Sequence, residues 1–107
     1  MNILVLDVGT SSMRGTLLDE TAKALWKGHI PYGPTYGENG RVEQSPADWL
    51  HALCEICASA ASAHAVGAVA LTAQRSSVLP LGADGAPVGT DFRPAGEDVK
   101  ALLAGCE

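Results

Sequence analysis

The stretch NILVLDVGTSSMRGTLLD, residues 2–19, limits the fold more than any other part of the chain. Its first half is an apolar run that ends in an acid, Asp7, and that places apolar side chains on both faces. Such a run predicts a central β-strand covered on both sides. A turn of glycine and hydroxyl residues follows at GTSS. The second half predicts another strand, hairpin-paired with the first, so the chain begins by building a sheet.

The segments after this hairpin predict a third strand and then a loop. AKALWKGHI, residues 22–30, predicts a strand with Lys23, Lys27 and His29 on its polar face. PYGPTYGENGR, residues 31–41, is rich in glycine and proline and predicts a loop without strands.

The stretch SPADWLHALCEICASAASAH, residues 45–64, predicts an amphipathic helix. Ser45 is a suitable N-cap, Pro46 suits the first helical position, and Asp48 places a negative charge in the first turn, where the helix dipole favours it. The apolar stripe expected to face the sheet consists of Trp49, Leu53, Ile56, Cys57 and Ala60.

The last third of the chain predicts three further elements. VGAVALTA, residues 66–73, predicts a buried strand, and residues 76–89 predict a hairpin that turns at ADG. GEDVKALLAG, residues 96–105, predicts a short helix that ends at its final glycine. Early hairpins followed by a helical crossover predict an α/β domain with a mixed β-sheet and flanking helices, and the crossover should be right-handed.

Length and charge narrow the classes of function. A chain of 107 residues predicts one domain or less. The formal net charge of -5 argues against nucleic acid as a partner, since a binding surface would need a basic stripe. No apolar run reaches the length of a membrane span, and the start MNILVLD has no signal-peptide pattern. We therefore expect a cytoplasmic protein that binds neither nucleic acid nor membrane, and self-association into a homo-oligomer stays open.

The cysteines do not predict a redox or metal centre. There are three, Cys54, Cys57 and Cys106, an odd number without a regular disulfide framework. CEIC matches C-x-x-C, but it lies in the predicted helix with no second pair of ligands nearby. We expect these two thiols to serve packing.

The residues after the first strand are suited to phosphate binding. Asp7 lies at the carboxyl edge of the sheet, where open α/β sheets bind ligands, and it could hold Mg²⁺ through water. The candidate phosphate donors are Thr10, Ser11, Ser12 and Arg14, beside a glycine at position 9 that permits close approach of the backbone. The alternative is a plain hairpin turn, because Asp, Gly, Thr and Ser are ordinary turn residues.

Polar residues also follow the second apolar strand, at Gln74 and Arg75. If the two strands are parallel neighbours, these residues share the sheet edge with Asp7 and offer an amide and a guanidinium to a hydroxyl-rich ligand. The alternative is that they begin a solvated loop.

Three segments resemble the FGGY family of sugar and polyol kinases, within the actin-like ATPase superfamily. LDVGTSSMRG, residues 6–15, looks like the family's phosphate-binding opening, and residues 40–49 fit its segment G-x-x-E-Q-x-P-x-x-W. Residues 66–88 resemble its strand, its Gln-containing substrate loop and the hairpin that follows. The matches occur in the family's order and cover roughly residues 3–88.

The resemblance implies a ribonuclease-H-like fold, with residues 1–107 forming the N-terminal portion of the family's N-terminal domain. It implies that ATP and Mg²⁺ bind at a phosphate loop, residues 7–14, and that a sugar or polyol binds at a substrate loop, residues 74–77. The residues implied are Asp7 for the metal, Thr10, Ser11, Ser12 and Arg14 for the phosphates, and Gln74, Arg75 and Ser76 for the substrate. Glu43, Gln44 and Trp49 are expected to support structure.

The chain also departs from the family pattern. Glycerol kinases have an acid after the Gln-Arg pair, whereas Ser76 stands here. Asp91 and Arg93 resemble remnants of the family's W-x-D-x-R motif without its tryptophan. The family's catalytic base lies beyond the matched region, so we expect the isolated chain to be catalytically incomplete. Two alternatives are a non-catalytic sugar- or nucleotide-binding module and another kinase of the actin-like superfamily.

Overall fold

The chain folds as two units, of which the first contains Met1–Gly33 and Ala47–Gln74 and the second contains Pro34–Pro46 and the described residues after Gln74. The structure, a computed structural model, describes residues 1–74, 77, 79–88 and 91–92, the last two as backbone only. The elements are β1 (Ile3–Val8), β2 (Ser12–Leu18), β3 (Ala24–Pro31), β4 (Thr35–Tyr36), β5 (Val42–Gln44), α1 (Pro46–Ala63), β6 (Ala68–Ala73) and β7 (Asp91–Phe92).

The first unit contains a mixed four-stranded sheet in the order β3-β2-β1-β6. β1 and β2 are antiparallel, as are β2 and β3, whereas β1 and β6 are parallel. The predicted hairpin, the third strand and the mixed sheet are therefore confirmed. The parallel pair requires a crossover, which includes α1.

Helix α1 packs on one face of this sheet. The buried core consists of Leu4, Leu6, Met13, Leu17, Ala52, Ile56 and Ala60. Of the predicted stripe, Ile56 and Ala60 are buried, and Leu53 and Cys57 pack against the core in part. Trp49 is half-buried, and Ala52, which the stripe omitted, is fully buried. The predicted helix and most of its buried face are confirmed.

Two predictions about coverage of the sheet are wrong. β1 is not covered on both faces by the described residues, because Leu4 and Leu6 are buried against α1 while Ile3 on the other face is 38% exposed. Among the described strands β6 lies at the edge of the sheet, and it is not buried, since Val69 and Leu71 are 57% and 63% exposed. Helix α1 packs over one face of β1 and β2 and leaves β6 exposed. An apolar sequence predicts a strand but does not show which of its faces a helix covers.

The predicted loop at residues 31–41 is wrong in part. β4 lies within it and pairs with β5 in antiparallel register, Thr35 with Glu43. A short 3-10 turn, Glu38–Gly40, joins the two strands, with Asn39 and Gly40 at positive φ. The glycine and proline content marks this turn correctly but conceals the short strands beside it.

The second predicted hairpin is confirmed. Leu81 and Pro87 form an antiparallel bridge, and Gly85 has the positive φ of 78° that the turn requires. Asp84 accepts a hydrogen bond from the Ala86 N–H at 3.0 Å. The predicted helix at residues 96–105 lies outside the described residues, as does Cys106. No helix in the described part of the chain has the length and apolar character needed to cross a bilayer.

Candidate functional site

The two predicted site segments lie at the same edge of the sheet. β1 and β6 run parallel, so both end at this edge, and Asp7 pairs with Thr72 in register. Gln74 follows the last residue of β6 directly. The expected shared edge is confirmed for Asp7 and Gln74, whereas Arg75, Ser76 and Arg93 lie outside the described residues.

A row of polar residues crosses the sheet at Asp7. Thr72, Asp7, Arg14 and His29 are register partners on four adjacent strands, β6, β1, β2 and β3. Directly paired residues project to the same face with Cβ atoms roughly 5 Å apart. All four residues are exposed, and the Thr72 hydroxyl donates to Asp7 Oδ1 at 3.2 Å. The row presents a carboxylate next to a guanidinium, the pair predicted for metal and phosphate.

Two members of this row, Thr72 and His29, were missed by the sequence reasoning. His29 had been assigned only to a polar strand face. The antiparallel register of β2 with β3 places it directly opposite Arg14. The register could not be read from the sequence with this accuracy, because a slip of one residue would place His29 on the other face.

The β1–β2 turn, residues 9–11, is closed by its own backbone. The Gly9 N–H donates to the Ser12 carbonyl at 2.9 Å. A Cβ atom at position 9 would lie 2.9 Å from that same carbonyl oxygen, so the turn requires glycine. Ser11 is exposed, and Ser12 is half-buried as the first residue of β2.

Tyr32 holds the β1–β2 turn from the side of β3. Its hydroxyl donates to the Gly9 carbonyl at 2.6 Å, and its backbone N–H donates to the Ser11 carbonyl at 2.9 Å. Burial raises the pKa of the Tyr32 phenol, and the negative charge of Asp7 raises it further. The phenol therefore remains a donor at neutral pH. Sequence reasoning placed Tyr32 in a loop and missed it, although its position directly after a strand was an available signal.

Gln74 holds the same turn from the side of β6. The Thr10 hydroxyl donates to Gln74 Oε1 at 2.8 Å. This hydrogen bond joins a residue predicted for phosphate to one predicted for the substrate, across a sequence separation of 64 residues.

Asp7 has the chemistry of a magnesium ligand. Its carboxylate is exposed at the end of the parallel pair, and Mg²⁺ in proteins retains several waters and takes one or two carboxylates. No group of three or more His, Cys, Asp or Glu residues suited to a metal occurs among the described residues. A single exposed carboxylate with phosphate oxygens and waters fits Mg²⁺ better than a cage built wholly of protein ligands.

The C-x-x-C cysteines differ in environment. Cys57 is half-buried and packs against the core, as predicted. Cys54 is exposed, so the prediction that it serves packing is wrong. The spacing along α1 directs Cys54 away from the buried stripe. Both thiols are free.

Comparison with known proteins assigns the chain to a family. Residues 2–91 match the model of the N-terminal domain of the FGGY family of carbohydrate kinases. The chain belongs to this family. It is 34% identical over 80 residues to an apulose kinase from Pectobacterium atrosepticum, an alignment that covers 72% of this chain and 16% of that protein.

Solved structures support the same assignment. A ligand-bound xylulose kinase from Lactobacillus acidophilus matches 85% of this FGGY chain with a TM-score of 0.80 and 25% identity. A xylulose kinase from Rhodospirillum rubrum matches 97% with a TM-score of 0.83 and 21% identity, a likeness that shows the fold alone. The predicted ribonuclease-H-like, actin-like ATPase fold is confirmed. The chain spans 16% of the apulose kinase and 19% and 24% of the two xylulose kinases.

Proposed function

We propose that this chain is the N-terminal segment of an ATP-dependent kinase that transfers the γ-phosphoryl group to a hydroxyl of a sugar or polyol. Membership in the FGGY family supports the reaction class. The observation that carries the proposal is the shared sheet edge, where the β1–β2 turn lies beside the Asp7–Arg14 pair and is hydrogen-bonded through Thr10 to Gln74.

On the nucleotide side, the proposed phosphate ligands are Thr10, Ser11, Ser12 and Arg14. The hydroxyls and backbone N–H groups donate to phosphate oxygens, and the Arg14 guanidinium offers paired donors that match phosphate geometry. Asp7 would hold Mg²⁺ through water, and the bound ion would neutralise phosphate charge. Phosphoryl transfer depends mainly on positioning and charge stabilisation, and these residues contribute to both.

On the acceptor side, Gln74 would bind substrate hydroxyls, with Arg75 and Ser76 following it in the sequence. An amide can donate and accept hydrogen bonds at once, as can a hydroxyl, so the pair is well matched. The names of the relatives, which include apulose, xylulose, gluconate and glycerol kinases, support a sugar or polyol as the substrate class.

The metal role of Asp7 is tested with Asp7→Asn and with tripolyphosphate as the ligand, by titration calorimetry. With Mg²⁺ present, the variant should bind roughly tenfold more weakly, because it loses one charge-assisted contact. With EDTA present, Asp7→Asn should bind tripolyphosphate more tightly than the parent chain does, because the Asp7 carboxylate of the parent then repels the polyanion.

The matched control is Glu20→Gln, which removes the same charge. Glu20 is exposed in the β2–β3 connection, at the opposite end of the sheet from Asp7. It should change binding in neither buffer. If Asp7→Asn strengthens or weakens binding equally with and without Mg²⁺, Asp7 does not serve the metal. If the parent chain binds no tripolyphosphate at all, the proposed phosphate site is wrong.

A further inference from the structure

We propose that Tyr32 is a positioning residue that fixes the β1–β2 turn in a shape able to bind phosphate. The inference rests on the proposed function, and it adds a residue that neither the turn sequence nor the Gln74 segment contains. Tyr32 lies outside both the phosphate loop, residues 7–14, and the substrate loop, residues 74–77, and it is 20 residues or more from the turn it contacts.

Tyr32 contacts the turn at two places. Tyr32 donates twice to the turn, from its hydroxyl to the Gly9 carbonyl at 2.6 Å and from its backbone N–H to the Ser11 carbonyl at 2.9 Å. Both ends of the three-residue turn are therefore tied to one residue. The pairing of Ser12 with Pro31 explains the proximity, because it brings the end of β3 beside the start of β2.

The contacts with Tyr32 fix the direction of the backbone groups in the turn. In a planar trans peptide the carbonyl and the following N–H point in opposite directions. Because the Gly9 and Ser11 carbonyls point towards Tyr32, the N–H groups of Thr10 and Ser12 point away from it. An anion is attracted by N–H groups and repelled by carbonyl oxygens. Tyr32 thus holds the two repulsive carbonyl groups on its own side of the turn.

The phenol must be neutral to hold the turn, because a tyrosinate could not donate to the Gly9 carbonyl. Burial raises the pKa of the Tyr32 phenol, and the negative charge of Asp7 raises it further.

The test compares Tyr32→Phe with Tyr36→Phe. The first variant keeps the ring and the backbone N–H bond but removes the hydroxyl. The second makes the same chemical change at the other tyrosine, which is 76% exposed in β4. Backbone ¹⁵N relaxation of the ligand-free chain reports on the turn, and calorimetry with Mg²⁺ and tripolyphosphate reports on binding.

For Tyr32→Phe we expect the order parameters of Thr10 and Ser11 to fall from about 0.85 towards 0.6. Tripolyphosphate affinity should fall roughly five- to tenfold, as for loss of a pre-organising contact, with little change in melting temperature. Tyr36→Phe should leave the order parameters, the tripolyphosphate affinity and the melting temperature unchanged.

Two outcomes would overturn the inference. One is unchanged order parameters and unchanged affinity in Tyr32→Phe. The other is a loss of order throughout the sheet together with a lower melting temperature, which would mean that Tyr32 serves general stability. If the parent chain does not bind tripolyphosphate, the proposed function fails, and the relaxation data still decide whether Tyr32 fixes the turn.

Discussion

The absence of a side chain at Gly15 allows α1 to pack closely on the sheet. A Cβ atom on Gly15 would lie 2.6 Å from Ile56 Cγ2 and 3.1 Å from the Trp26 ring. The glycine therefore leaves the space that the helix and the indole ring fill. Sequence reasoning assigned Gly15 to a strand, correctly, but could not identify this role, because the contact joins residues far apart in the chain.

Gly15→Ala is expected to destabilise the fold by about 1–3 kcal/mol, because the added methyl group overpacks a core with few voids. The measurement is the urea midpoint, followed by tryptophan fluorescence. Gly33→Ala is the control, since a Cβ atom at position 33 meets nothing within 4 Å. Equal stability of the two variants would contradict the packing described for Gly15.

Asp19, in the β2–β3 turn, makes the stability of the fold depend on pH. Its Oδ1 accepts from the Thr21 hydroxyl at 2.7 Å and from the Lys23 N–H at 3.0 Å. The hydroxyl contact and then the backbone contact lower the pKa of the Asp19 carboxyl. A lowered folded-state pKa gives stability that is present above the unfolded value of about 3.9 and is lost as pH falls through the folded value.

Asp19→Asn should therefore reduce the dependence of the melting temperature on pH below about 4, and the variant and the parent should converge at the acid end. Thermal melts between pH 2 and 6, followed by circular dichroism, measure this. Glu20→Gln is the neighbouring control. A parent chain whose melting temperature falls no more steeply than that of Asp19→Asn would contradict the assignment.

Among the elements, α1 has the clearest sequence signals. Pro46 is its first residue and Asp48 lies in its first turn, both as predicted. A stripe of apolar residues that recurs over five turns predicts a helix reliably, because each turn adds another apolar residue at the same face. β4 and β5 are too short to produce such a signal, and they form their hydrogen bonds by pairing with each other and, for β5, also with β7.

The N-cap of α1 gives an element-level prediction. Ser45→Ala should destabilise the chain by about 1 kcal/mol, because a serine in this position satisfies a free N–H group of the first turn. Ser59→Ala, at an exposed position within the helix, should be neutral or slightly stabilising, since alanine is the better helix former. Urea denaturation of both variants measures the difference. A Ser45→Ala variant as stable as Ser59→Ala would show that Ser45 is not the cap.

At the scale of the whole molecule, the sequence predicted the four strands of the first sheet but not how they are covered. Apolar runs predicted β1 and β6, the hairpin and the polar face of residues 22–30 predicted β2 and β3, and the polar ends of β1 and β6 predicted the shared edge. The exposed faces of β6 and the two contacts of Tyr32 arise from tertiary packing. Local patterns do not determine such contacts, so Thr72, His29 and Tyr32 were identified only from the structure.

The 107-residue chain by itself should not phosphorylate sugars at a useful rate. It spans 16% of the related apulose kinase and provides one edge of the proposed site, whereas kinases need a closed site that positions both substrates and excludes water. The measurement is a coupled assay with ATP, Mg²⁺ and a panel of pentoses, hexoses and polyols. Steady turnover that disappears in Asp7→Asn would contradict this expectation and indicate a complete site within this chain.

The hydrogen bond between Thr10 and Gln74 has a consequence for how the two ligands could influence each other. A hydroxyl carries a single hydrogen atom, and here it is directed at Gln74 Oε1. A phosphate oxygen that accepts this hydrogen would compete with the Gln74 oxygen for it. Binding on the nucleotide side would then change how the Gln74 side chain is held, and thermodynamic reciprocity makes any resulting change in affinity equal in the two directions. One shared proton would thus link the two occupancies.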